Sequence, residues 1–221
     1  MELTRIQDGS IVANGIRYNE YPPPQLLVKA MERRWAEELV RAGLMRLRKL
    51  EYYRSWENGL LGDPNDGEGL YHVHGYPMQT GSSNDVYAWC LSLPTIEPSR
   101  RLLLAQHGGY DCLLVIPAPE RFFKKVAGFL SQNRKGFGLH CGLANYNRGE
   151  EIAKRTLNSQ KFHHNVFQKS PRFEDDKEYR MAITNSTFNR LHDDHLDLLL
   201  GDCRDIMSID GLPNKSLDRT S

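Results

Sequence analysis

Three stretches of this sequence combine side chains that could perform chemistry. Met45-Arg46-Leu47-Arg48-Lys49-Leu50-Glu51-Tyr52-Tyr53-Arg54 sets three guanidinium groups beside two phenols. Arginine forms bidentate pairs with phosphate, and an aromatic ring offers a flat face to a heterocycle such as nicotinamide or adenine, so the run suits a dinucleotide. The plainer alternative is an edge strand with tyrosines in the core and arginines in solvent. Further along, Phe167 to Arg180 carries an acidic cluster that enters a strand at Glu178. Residues two apart on a strand share a face, so Arg180 lies beside Glu178 and keeps its carboxylate ionised. Glu178 is therefore the candidate catalytic residue. The competing reading is a surface ion pair on a sheet, worth at most about 1 kcal/mol.

The third stretch, Gly62-Asp63-Pro64-Asn65-Asp66-Gly67-Glu68-Gly69, lacks the register of oxygen ligands that a calcium loop needs. It reads as a turn-rich segment, too flexible for a regular element and ordered by aspartates bonding their own backbone. It sits within a polar loop from Trp56 to Gly75, and long polar loops are often functional. His72, His74, His163 and His164 match no zinc spacing, while His107 and His140 neighbour an acid or a cysteine only in sequence. These histidines are assigned to structure, and no metal site is expected.

The elements that must position these groups follow from periodicity. Gly15 to Tyr18 predicts a short strand, followed by Pro22-Pro23-Pro24. Leu27, Met31, Trp35 and Leu39 recur at intervals of four and predict a helix closed by a left-handed cap at Gly43. Leu44 to Tyr53 alternates as a strand. Asp85 to Leu93 and Asp111 to Ile116 read as buried strands of one sheet, with a helix from Pro119 carrying Phe122, Phe123, Val126, Phe129 and Leu130 on one side. Phe137 to Tyr146 is extended, Ile152 to Leu157 a helical turn, and Tyr179, Met181 and Ile183 mark another strand. Leu191 to Met207 is expected to form a C-terminal helix with an acidic outer face, and the chain to fray after Asp210.

Strands and helices intermixed at irregular spacing predict an α+β fold, a mixed sheet with flanking helices, in one globular domain over residues 1–210 with a tail at 211–221. Neither a G-x-G-x-x-G nor a phosphate-binding G-x-x-x-x-G-K-[ST] run is present, so a nucleotide would bind by other means. The 221 residues carry a net charge of +1, which excludes the overall basic excess of a non-specific nucleic-acid binder. A local excess remains: eight basic and four acidic residues between Lys29 and Arg54. Cys90, Cys112, Cys141 and Cys203 form no C-x-x-C pair and follow no secretory signal, so reduced thiols in a cytoplasm are expected. No run reaches the roughly 18 apolar residues of a membrane span.

Leu50-Glu51-Tyr52-Tyr53-Arg54, Gly62-Asp63-Pro64 to Glu68-Gly69, Trp89-Cys90-Leu91-Ser92, and Lys169 to Phe173 with Glu178-Tyr179-Arg180 resemble, in order and spacing, a bacterial domain-of-unknown-function family. The likeness spans about residues 26–185, departing at Asp176, where the pattern has Glu, and at Tyr18-Asn19-Glu20-Tyr21, where it has His-Tyr-Thr. That family is in turn distantly similar to ADP-ribosyltransferases of toxin and phage-defence systems. The resemblance implies an ADP-ribosyltransferase-like fold and NAD as substrate. It places Arg46, Arg48 or Arg54 on the pyrophosphate, Tyr53 on nicotinamide and Glu178 at the reacting ribose, with Ser92 and Arg180 orienting cofactor and glutamate. The implied acceptor is a protein side chain or an RNA or DNA base, the implied partner an antitoxin, and no metal is needed. Two other classes stay open: a metal-free ribonuclease toxin using His140, His163 or His164 with Lys169, and a non-enzymatic sensor or partner-binding module.

Overall fold

The computed structural model describes residues 3–6, 9–54, 63–80, 85–95, 109–151, 165–187, 191 and 193–211. Among them, eleven strands form one mixed sheet. At one end lie β1 (Leu3–Arg5), β2 (Ile11–Ala13) and β3 (Ile16–Tyr18), an antiparallel meander. β3 runs parallel to β10 (Phe137–Leu143), which pairs antiparallel with β11 (Glu178–Asn185), and β11 with β8 (Val86–Ser92). Beyond β8 come β4 (Leu27–Met31), β9 (Cys112–Ile116) and β13 (Ser208–Gly211). β5 (Leu44–Lys49) also pairs β8, and its other edge carries β12 (His195–Leu199). β6 (Gly69–Val73) and β7 (Tyr76–Thr80) form a separate hairpin. The fold is α+β, as the irregular mixing of elements predicts.

The helices are α1 (Arg33–Ala42), the short α2 (Leu50–Arg54) and α3 (Pro119–Asn133), with a 3-10 turn at Pro171–Asp176. α3 starts at a proline, which has no N–H to leave unsatisfied in a first turn. It lays Phe122, Phe123, Val126 and Leu130 against the sheet. There they meet Tyr87, Trp89 and Leu91 of β8 and Tyr179, Met181 and Ile183 of β11 in the main core. Phe123 and Tyr179 stack at 5.8 Å between ring centroids. Alternation then sends Cys90 and Ser92, and Glu178 and Arg180, to the opposite face.

Four expectations are corrected. Leu27 to Met31 is a strand, not the start of the helix, which begins only at Arg33. An interval of four is even, so it aligns residues on one face of a strand as well as of a helix, and here five ladder pairs with β9 decide the matter. Gly43 does cap α1 in the left-handed region, at φ 70°, its N–H donating to the Leu39 carbonyl at 2.9 Å. The strand from Leu44 ends at Lys49, and Leu50 to Arg54 turns as α2.

Leu191 to Met207 is not a helix. His195 to Leu199 pairs with β5 and buries Leu196 and Leu198, a two-residue alternation hidden by the density of leucines. Nor is the segment to Gly75 a loop throughout. Gly69 opens the β6–β7 hairpin, turned at His74 and Gly75, both with positive φ (53° and 77°), as a tight two-residue hairpin turn requires. Residues 55–62, the helical turn at 152–157 and the tail at 212–221 lie outside the described residues.

Candidate functional site

The face of the sheet away from α3 becomes polar where β8 and β11 run side by side. In register, Ser92 lies opposite Glu178 and Cys90 opposite Arg180. Over this patch fold α2, the turn from Asp63 to Glu68, and the segment from Asn165 into the 3-10 turn. These are the four sequence blocks of the family-like pattern, brought together in space. Arg180 is wholly buried. Its guanidinium donates to both carboxylate oxygens of Asp66, at 2.5 and 3.0 Å, to the Val166 carbonyl at 2.6 Å and to Glu178. Glu178 also accepts from Lys169, which reaches Asp176 at 3.0 Å. A second buried pair joins Arg148 to Asp63, whose carboxylate further accepts the backbone N–H groups of Asn65 and Ser170.

In this network four carboxylates face three cations. Burial alone would push the Glu178 carboxyl up, but Arg180 and Lys169 outweigh it and hold the group well below the usual carboxylate range. Asp63 is likewise lowered: burial opposes its charge, and Arg148 and the two N–H donors overcome it. Burial disfavours the Lys169 ammonium, yet Glu178 and Asp176 raise it above an ordinary lysine. Lys169 is thus held as a cation between two carboxylates. The Glu178 N–H donates to the Tyr146 hydroxyl at 2.8 Å, and that phenol is raised to about 12, by burial and then by the Glu178 charge.

The cleft arises from a fork in the sheet. One edge of β8 pairs with β5 at Tyr87 and Ala88, then with β4 at Ser92, so β4 and β5 diverge around Trp89, Cys90 and Leu91. A cavity of about 250 Å³ lies at the fork, walled by Arg46, Arg48, Tyr52, Trp35 and Trp89 among others. A second, of about 160 Å³, is walled by Glu178, Ser92, Cys90, Asp66, Lys169 and Asp176. The two share Lys29, Tyr53 and Tyr110 in their walls. Together they fall within the roughly 300–1,000 Å³ usual for small-molecule sites.

Each residue singled out from sequence has a definite place. Tyr53 stands between the cavities, its hydroxyl donating to the Ala88 carbonyl at 3.3 Å; burial, then Cys90 and Tyr110, raise its phenol well above the ordinary value. Glu178 and Ser92 line the smaller cavity, Arg46 and Arg48 the larger. Arg46 forms a two-pronged pair with Asp197, both contacts at 2.7 Å, across the β5–β12 ladder. Arg48 pairs with Asp194 at 2.9 Å and lies 4.6 Å over the Tyr52 ring. Arg54 and Arg180 wall neither cavity. Arg54 binds the Asp66 carbonyl at 2.6 Å and Glu68 at 3.1 Å, while Arg180 acts behind Glu178, which it orients.

Asp63 does order its turn, as expected, by accepting the Asn65 N–H, whereas the Asp66 carboxylate is taken up by Arg180; both aspartates are buried ion-pair partners of arginines far along the chain. Lys29 and Tyr110, which wall both cavities, were not singled out as site residues from sequence. The one signal was a lysine within the apolar run Leu27-Val28-Lys29-Ala30-Met31. His72 bonds the Gly149 carbonyl at 2.7 Å and His140 the Thr184 hydroxyl at 3.2 Å. Among the described residues no cluster of His, Cys, Asp and Glu is arranged to hold a metal ion, and no helix is long and apolar enough to cross a membrane.

No protein-family model matches the chain, and neither a curated protein nor a solved structure does.

Proposed function

We propose that the chain is an ADP-ribosyltransferase that binds NAD across the two cavities and transfers the ADP-ribosyl group to a macromolecular acceptor. One observation carries this reading: Tyr53 walls both the cavity that holds Glu178 and the cavity that holds Arg46 and Arg48. A late carboxylate and the early segment from Arg46 to Tyr53, β5 leading into α2, thus border one cleft, as a dinucleotide held at both ends requires.

In the proposed reaction the bond between the ribose and the nicotinamide nitrogen breaks, and its electron pair leaves with neutral nicotinamide. The ribosyl carbon becomes an oxocarbenium-like cation. The nucleophile of the acceptor adds to that carbon and gives up its proton. A carboxylate beside the ribose stabilises the developing positive charge, provided it is ionised and fixed in place. Glu178 meets both conditions, since Arg180 and Lys169 hold its charge and position. Tyr53 stacks on nicotinamide, Ser92 contacts the nicotinamide end, and Arg46, Arg48 and Tyr52 border the opposite end. Toxin or phage-defence roles, with an antitoxin as partner, follow only from the family-like pattern.

The test is labelling of bacterial lysate, protein and nucleic-acid fractions separately, with NAD tagged on its adenosine. The purified protein should transfer the tag to one fraction, and Glu178→Gln should transfer none while keeping the wild-type circular dichroism spectrum. A folded wild-type protein that neither binds nor consumes NAD refutes the proposal.

A further inference from the structure

The two arginines that border the larger cavity are already engaged. Arg46 is paired with Asp197 and Arg48 with Asp194, and Arg54, outside the cleft, is paired with Glu68. In the smaller cavity, Lys169 is held by Asp176 and Glu178. Lys29 differs from all of these. It lies on β4 at the fork, where, among the described residues, one edge of β8 is unpaired between Ala88 and Ser92, and its ammonium donates to the Cys90 carbonyl at 2.8 Å. The same ammonium stands 5.2 Å from the Trp89 ring centroid. Among the described residues it has no carboxylate within ion-pair distance, and it walls both cavities.

A partly buried cation without a counter-charge is costly, and an anion that enters the site removes the cost. Burial pushes the Lys29 ammonium below an ordinary lysine, with Cys90 and Glu178 opposing only in part, which agrees with a missing anionic partner. The carbonyl and the ring hold the side chain in place in the wall of both cavities.

We infer that Lys29 is the phosphate-binding residue of the cleft: its ammonium takes a phosphate or pyrophosphate oxygen of the ligand at the junction of the two cavities. This rests on the dinucleotide reading for the identity of the ligand, but not for the presence of an anion site. It also reassigns the role that the sequence pattern gives to the arginines. They border the far end of the ligand while Lys29 holds its middle. Lys29 acts by position and charge and touches no reacting atom.

Binding of inorganic pyrophosphate, ADP-ribose and adenosine to the full chain, followed by calorimetry, tests the inference. Wild type should bind pyrophosphate and ADP-ribose. Lys29→Met should weaken both by roughly 10- to 100-fold, the range for a charged hydrogen bond, while leaving adenosine unchanged. Lys29→Arg should restore most of the loss. Lys29→Gln, which can still donate to the Cys90 carbonyl, serves if the methionine variant does not fold, and should lose the same anion affinity. Equal affinity of wild type and neutral variants for ADP-ribose overturns the role of Lys29 and leaves the NAD reading standing. Pyrophosphate bound by wild type and lost in the variants, with no binding of ADP-ribose or NAD, keeps the anion site and refutes the NAD reading. No binding of pyrophosphate or ADP-ribose by wild type refutes the inference outright.

Discussion

Replacing Arg180 by methionine removes a cation that, alone among the described residues, touches both Asp66 and Glu178. The side chain is fully buried and contacts both oxygens of Asp66, one oxygen of Glu178 and the Val166 carbonyl. Glu178 would keep Lys169, but Asp66 would lose its ion-pair partner. Truncating one member of a buried pair typically costs about 3–5 kcal/mol, because the remaining charge stays out of water without compensation. For a domain of this size about 1 kcal/mol corresponds to roughly 2–4 °C, so the melting temperature should fall by about 6–20 °C. Urea unfolding at neutral pH, followed by circular dichroism, measures the change directly. Adding Asp66→Asn should recover part of the loss, with a coupling of about 0.5–3 kcal/mol in the double-mutant cycle. A single variant within about 1 kcal/mol of wild type, at unchanged denaturant slope, would refute the claim that Arg180 holds the Asp63–Glu68 turn onto β11.

Acid should act on the same network. Asp63 and Glu178 are both lowered in the folded state, so their stabilisation is complete above the ordinary carboxylate range near pH 4 and is lost as pH falls through the folded values. Unfolding free energy should accordingly be nearly level from about pH 7 to 5 and decline below about pH 4, and Asp63→Asn should make that decline shallower. Gly43→Ala should destabilise by more than about 2 kcal/mol in the same assay, since φ is 70° and the added carbon would lie 2.2 Å from the Gly201 carbonyl oxygen. Tyr53→Ala should weaken NAD binding by several-fold to roughly tenfold through loss of the aromatic face, whereas Tyr53→Phe, which keeps the ring, should bind nearly as wild type in a fluorescence titration.

Much of the frame could be read from local patterns, because those patterns coincide with what tertiary packing demands. β8, β9, α3 and β11 each have a strong apolar rhythm, and the same rhythm places Glu178 and Arg180 on one face. Leu27 to Met31 misleads because even spacing serves strand and helix alike, and only the ladder with β9 distinguishes them. His195 to Leu199 misleads because five residues of alternation are masked by flanking leucines. The ion network was legible in most of its members, Arg148 excepted, and in the Glu178–Arg180 pair, but not in its long-range pairing. Asp66 meets Arg180 across 114 residues and Asp63 meets Arg148 across 85, separations on which local sequence carries no information. Lys29 was hidden for a related reason: its significance comes from a fork between two strands that exists only once the sheet is assembled.

The central claim is that Glu178 meets the ribose of an NAD molecule lying across the cleft. Release of nicotinamide from NAD, measured alongside NAD affinity for wild type and Glu178→Gln, tests it most directly. The account predicts a variant that binds NAD within about tenfold of wild type but releases nicotinamide at least about a hundredfold more slowly. A folded Glu178→Gln protein that releases nicotinamide at the wild-type rate would contradict it.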